Sequence, residues 1–220
     1  MIAPDSIATT HSVSVQPRLL KRERAALCER AHGGDRSFSE NVLAGLHGLS
    51  RAQLTELEAW LRPHQSSVSG FLAANERLLA VVVADTHALY KAGTTPQAVG
   101  LRLQEVLIPY ISWNYHASER LRERYHVPEH LYVRAGSFLR GGQPCPFWEC
   151  EPGLCHSPSA LLPHEEAYAH ADFVITNEHS GETVKGPCLL AHTATSHNFF
   201  EGSVRYRTDP VALARVLEVI

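Results

Sequence analysis

The chain has 220 residues, 44% of them hydrophobic and 20% charged, which is the balance of an ordinary soluble globular protein with one large domain or two small ones. A formal net charge of -3 supplies no electrostatic footprint for an obligatory nucleic-acid partner. The most apolar stretch, Leu78 to Ala84, is far shorter than the roughly 20 residues that span a bilayer, so no membrane is expected.

The opening Met1-Ile2-Ala3-Pro4-Asp5-Ser6 has neither the basic start nor the apolar run of a secretory signal. The expected location is therefore cytoplasmic, where thiols stay reduced and clustered cysteines indicate a metal more often than a disulfide. Residues 1–16, rich in Ser, Thr and Ala without periodicity, read as a disordered tail.

From residue 17 to 128 the pattern is helical. Leu19, Leu20, Ala26 and Leu27 form a narrow apolar face that Gly33-Gly34 stops. Ser50 and Gln53 form a capping box before a helix carrying Leu54, Leu57 and Leu61, closed by Pro63. Ser69 reads as the cap of a longer helix through Leu72, Leu79, Val83 and Tyr90, with Gly93 past its end. Thr95-Pro96 starts the next helix and Pro109 closes it; an Arg-rich helix follows from about Asn114 to Tyr125. Short helices with brief connections predict a bundle.

The character changes over residues 129–220, which read as a small α+β module. Leu131-Tyr132-Val133 and Ser137-Phe138-Leu139 are short extended segments before Gly141-Gly142, and the Pro/Gly/Ser-rich run from Glu151 to Pro163 is a loop. Asp172 to Thr176 and Glu182 to Lys185 flank a turn at Glu178-His179-Ser180-Gly181 and pair as a hairpin. Gly186-Pro187 opens a helix, and Thr208-Asp209-Pro210 starts a last one, sealed by Leu213, Val216, Leu217 and Ile220. The expected fold is thus α+β: an N-terminal helical bundle followed by a small zinc-stabilised module with a β-hairpin and two short helices.

The zinc expectation comes from an unusual bias, 14 histidines and five cysteines, four of the latter after residue 144. Cys145-Pro-Phe-Trp-Glu-Cys150 reads as two thiols in a tight turn, and His192-Thr-Ala-Thr-Ser-His197 supplies an imidazole pair within the spacing of Cys2His2 sites. Five positions on a regular helix separate the two rings around the axis, so the helix must tighten or unwind near Asn198. Cys145, Cys150, His192 and His197 are the expected ligands of one zinc ion; Cys155, Cys188, His156 and His164 are the substitutes. Thiol turn, hairpin and histidine-bearing helix resemble the arrangement of a ββα zinc module. The gap between the second Cys and the first His is several-fold longer than the roughly 12 residues of a standard finger, and the helix lacks basic residues, so DNA recognition does not follow.

Four protein ligands leave no position for water, which points to a structural ion and away from an enzyme. The functional expectation is a zinc-stabilised accessory or regulatory protein that binds a protein partner. The alternatives are a metal-dependent hydrolase with an open metal position and a nucleic-acid-associated regulator, whose basic candidates Arg120, Arg122 and Arg124 are interleaved with Glu119 and Glu123. Weaker constellations are the Glu29/His32 and Glu123/His126 pairs, at the spacing of a di-iron site, and Asp85 with Glu76 and His87 as an acid–base group. Phe199-Phe200 is expected to pack beneath the metal site, and no phosphate loop or nucleophile elbow is present.

Overall fold

A computed structural model of the chain describes residues 49–115, 125–127, 130–150, 155 and 169–220. The expected tail, the helix around Leu19 to Leu27, the Glu29/His32 pair and the Arg-rich segment 116–124 lie outside the described residues. In chain order the elements are α1 (Arg51–Trp60), α2 (Leu78–Lys91), α3 (Pro96–Tyr115), β1 (Tyr125–Val127), β2 (Leu131–Gln143), α4 (Pro146–Cys150), β3 (Ala169–Asn177), β4 (Thr183–Pro187), α5 (Leu190–His197) and α6 (Pro210–Val216). The fold is α+β.

Helix α1 begins on the expected capping box, Ser50 Oγ accepting from the Gln53 backbone N–H while the Gln53 carboxamide accepts from that of Ser50. The helix expected from Ser69 starts nine residues later, at Leu78. The intervening chain folds back on the end of α1, where the Leu61 carbonyl accepts from both Phe71 and Leu72. Gly70 makes that return possible: its φ is +65°, and a Cβ there would sit 2.5 Å from the Pro63 nitrogen. The N-cap of α2, Arg77, has no capping side chain. Buried Glu58 of α1 takes over, accepting from the Leu78 N–H at 2.9 Å and pairing with Arg77 Nε at 2.7 Å.

Helix α3 starts as expected, with Thr95 Oγ1 accepting from the Ala98 N–H ahead of Pro96. Pro109 does not end it. The ring deletes one backbone hydrogen bond, but Val106, Leu107 and Tyr110 around it are buried in the core and hold the helix through to Tyr115. Tyr125–Val127 is a strand, so Tyr125 is not the helical residue expected, and His126 sits at a strand position opposite Tyr132 rather than at a helix end.

Among the described residues the sheet has four antiparallel strands in the order β1-β2-β3-β4. The two short extended segments are one strand, β2, which continues through Gly141-Gly142 with irregularities on either side of Phe138. The expected hairpin is β3–β4, in register from Asp172 opposite Pro187 to Thr176 opposite Thr183. Asn177 organises its turn: Oδ1 accepts from the His179 and Ser180 N–H groups, while Nδ2 donates to the Val216 carbonyl and Glu218. Helix α6 is capped by Asp209, whose carboxylate accepts from Ala212 at 2.7 Å, with Pro210 in the first turn. Leu213, Val216 and Leu217 are buried as expected, but Ile220 is exposed.

One apolar cluster runs from Leu57 to Val219, so the helices and the sheet share a core. Its closest seam is α3 on α5. A Cβ on Gly100 would lie 2.3 Å from Thr195 Oγ1 and 2.6 Å from its backbone nitrogen, so only glycine lets the two helices approach this far. Gln104 then donates to the Ala191 carbonyl across the same seam. No helix among the described residues is long and apolar enough to cross a membrane.

Candidate metal centre

The α3–α5 seam fixes the histidine-bearing helix, and β2 delivers Cys145 to it. Cys145 Sγ lies 3.4 Å from His197 Nε2, and Cys155 Sγ lies 3.2 Å from His192 Nε2. Each pair alone would be an ordinary thiol–imidazole hydrogen bond. The informative fact is that all four donor atoms lie within 4.8 Å of one another, and all four residues are buried. For zinc bonded to sulfur at about 2.3 Å and nitrogen at about 2.0–2.1 Å, the sulfur–nitrogen edge of a tetrahedron is roughly 3.5 Å. Four buried Cys and His side chains are therefore close enough to hold one metal ion, and the donor set is consistent with zinc.

The two imidazoles are five positions apart, about 140° around a regular helix. They converge because α5 ends at His197. Asn198 turns left-handed at φ 54°, and its N–H and that of Phe199 both return to the Thr193 carbonyl, the loosening anticipated from the spacing. The rings end up 5.2 Å apart and 79° to each other. Phe147 of α4 stacks on His197 at 4.0 Å and 3°, and meets Phe199 edge-on at 5.8 Å. His192 Nδ1 lies 3.4 Å from Ser196 Oγ, an outer contact that leaves Nε2 turned to Cys155. Phe199 and Phe200 are fully buried, in line with the packing expectation.

Cys150, expected as the second thiol, is not among the converging four; Cys155 occupies that corner. The Cys145–Cys150 segment is a short helix, with Pro146 as its first residue and Cys150 as its last, rather than a tight turn. Five helical steps carry Cys150 about 140° away from Cys145, and it packs half-buried against the apolar core instead. Cys188 is also buried, and desolvation, helped by the Asp172 charge, pushes its thiol up to about 12, so it serves as a small apolar residue. His156 and His164 lie outside the described residues.

The Asp85 group resolves into structural pairs. Asp85 is forked by Arg207 at 2.6 and 3.1 Å; burial raises its pKa and the guanidinium works against that rise. His87, two residues on, is exposed. In Glu76 partial burial is outweighed by hydrogen bonds from Ala73 and Ser203, which hold the carboxyl below its ordinary value.

One residue gave no sequence signal. Glu201 is buried at φ +67°, and its Oε2 has no hydrogen-bond partner among the described residues. Burial, with a contribution from Asp172 and against Arg207, pushes its carboxyl up to about 8. A left-handed backbone and an orphaned buried acid are tertiary facts with no local motif behind them. No protein-family model, curated protein or solved structure matches the chain, so its function is argued from these residues alone.

Proposed function

We propose that the chain is a zinc-stabilised accessory protein, with Cys145, Cys155, His192 and His197 holding one structural zinc ion. The observation that carries this reading is the convergence of two thiols and two imidazoles, from three separate chain segments, on one buried point. The ion would tie the end of β2 and Cys155 to helix α5, supplying folding free energy.

The hydrolase alternative needs a coordination position for water. A donor set closed by four protein side chains, each no more than 4% exposed, speaks for a binding role instead. We assign the partner-binding role to the helical segment, where Val68 and Leu101 are exposed apolar side chains among polar neighbours, and the partner to the class of proteins.

The test is the metal content and melting of freshly purified full-length protein. One zinc per chain, with melting lowered by a chelator and restored by zinc, is expected. Substoichiometric metal with melting indifferent to chelator would overturn the structural role. Cobalt-substituted protein separates the alternatives: azide or cyanide leaves the visible spectrum of a closed site unchanged and shifts that of an open, hydrolase-type site.

A further inference from the structure

Away from the thiols and imidazoles, residues of β2, β3, β4 and the segment before α6 line a solvent-open cleft of about 280 Å³. That is near the small end of ligand sites, which run from roughly 300 Å³ upward. Its lining carries the cations Lys185, Arg205 and Arg207 against the carboxylate of Asp172, together with Tyr206 and Gly136. Arg207 is already committed, forked on Asp85 and donating to the Glu201 carbonyl. Lys185 and Arg205 have no ion-pair partner among the described residues, although Arg205 is placed over the Tyr206 ring, 5.4 Å from its centroid.

Two cations with no counter-ion among the described residues thus line one small cleft, and Asp172 is the carboxylate of its described lining. Glu201, whose backbone carbonyl accepts from Arg207 of that lining, is buried in the left-handed region, and its Oε2 has no hydrogen-bond partner among the described residues. Strained backbone and unsatisfied buried groups concentrate where a fold holds a ligand. Asp172 and Arg207, both of the wall, are the charges that act on Glu201.

We propose that this cavity binds a small phosphorylated polyol, its phosphate against Lys185 and Arg205 and a hydroxyl donating to Asp172. A dianion answers two unpaired cations at once, and the planar Arg205 fork together with the Lys185 ammonium is the usual pairing for phosphate oxygens. Asp172 repels a bare anion but accepts from a hydroxyl, which selects a ligand carrying both groups.

The probes are glycerol 3-phosphate, inorganic phosphate and glycerol, titrated into the zinc-replete full chain by calorimetry at fixed ionic strength. Saturable one-to-one binding of glycerol 3-phosphate is expected, with inorganic phosphate weaker and glycerol silent. The Lys185→Gln/Arg205→Gln double variant should bind glycerol 3-phosphate roughly 10- to 100-fold more weakly. Both side chains are exposed, and Lys185→Gln alone is the fallback should the double variant fail to fold. Asp172→Ala, which removes the acceptor, should erase the preference of glycerol 3-phosphate over inorganic phosphate. Absent saturable binding of glycerol 3-phosphate, or equal binding by the charge variants, overturns the proposal; a preference that survives Asp172→Ala overturns the part given to Asp172. Metal content measured on the same samples keeps this result separate from the zinc reading.

Discussion

Replacing Cys155 by Ser separates the two thiol assignments, because Cys150→Ser is a matched control five residues away on the same segment. Cys155 Sγ stands 3.2 Å from His192 Nε2 inside the converging set, whereas Cys150 packs half-buried on the apolar core. Losing an outer-sphere contact of a metal ligand costs roughly 10–100-fold in metal affinity, so losing a ligand should cost at least about 100-fold. At about 1.4 kcal/mol per decade that is about 3 kcal/mol of linked folding free energy at fixed free zinc. A chain of this size shifts its Tm by about 2–4 °C per kcal/mol, so Cys155→Ser should melt about 6–12 °C lower. Cys150→Ser should keep one zinc and change stability by about 1 kcal/mol or less. The assay is zinc content by elemental analysis with calorimetric melting at a buffered free zinc concentration. If Cys150→Ser loses the metal while Cys155→Ser retains it, the ligand set argued from the convergence is refuted.

Gly100→Ala should lower Tm despite alanine's better helix propensity, because its Cβ would meet the Thr195 backbone at 2.6 Å and overpacking costs about 1–3 kcal/mol; since Thr195 lies between the two histidines, competition titrations should also show weaker zinc binding, and an unchanged or raised Tm would count against the tight seam. Burial pushes the Glu201 carboxyl up to about 8 from the ordinary glutamate value of 4.5, so its stabilising contribution is full below the unfolded value and is lost as pH rises through the folded one. Urea unfolding of the zinc-loaded protein should therefore show about 2 kcal/mol of stability lost between pH 6 and 8 from this group, and Glu201→Gln should flatten that slope; the same slope in the variant would contradict the assignment. Arg207→Met strands the buried Asp85 carboxylate and should cost roughly 2–3 kcal/mol in chemical denaturation, less than a fully buried pair because Arg207 is 29% exposed. Stability within error of the parent chain would mean that Asp85 finds another partner.

Local chemistry was the legible part of this sequence. The Ser50/Gln53 box, the Thr95-Pro96 and Asp209-Pro210 starts, and the Glu178-His179-Ser180-Gly181 turn each act through residues within three positions, and each is found where its residues stand. Tertiary forces decided the rest. Pro109 lies inside a helix because buried neighbours hold the helix on both sides of it. Helix α2 takes its cap from Glu58, twenty residues upstream, which no local motif announces. At the candidate metal site the closeness of the histidine pair to Cys145 was readable from residue type and spacing, and the place of Cys155 rather than Cys150 beside them had a local signal as well. Cys145-Pro146 has the same form as the two other residue–proline helix starts, and a helix after Cys145 turns Cys150 away from it. Glu201 is the opposite case, since neither its burial nor its left-handed backbone is encoded by a neighbouring residue.

X-ray absorption at the zinc edge of the purified, full-length protein reads the donor set itself. The account requires two sulfur neighbours near 2.3 Å and two imidazole nitrogens near 2.0–2.1 Å, with no oxygen from solvent in the first shell. A spectrum with a water oxygen, a single sulfur or no bound zinc at all would contradict it.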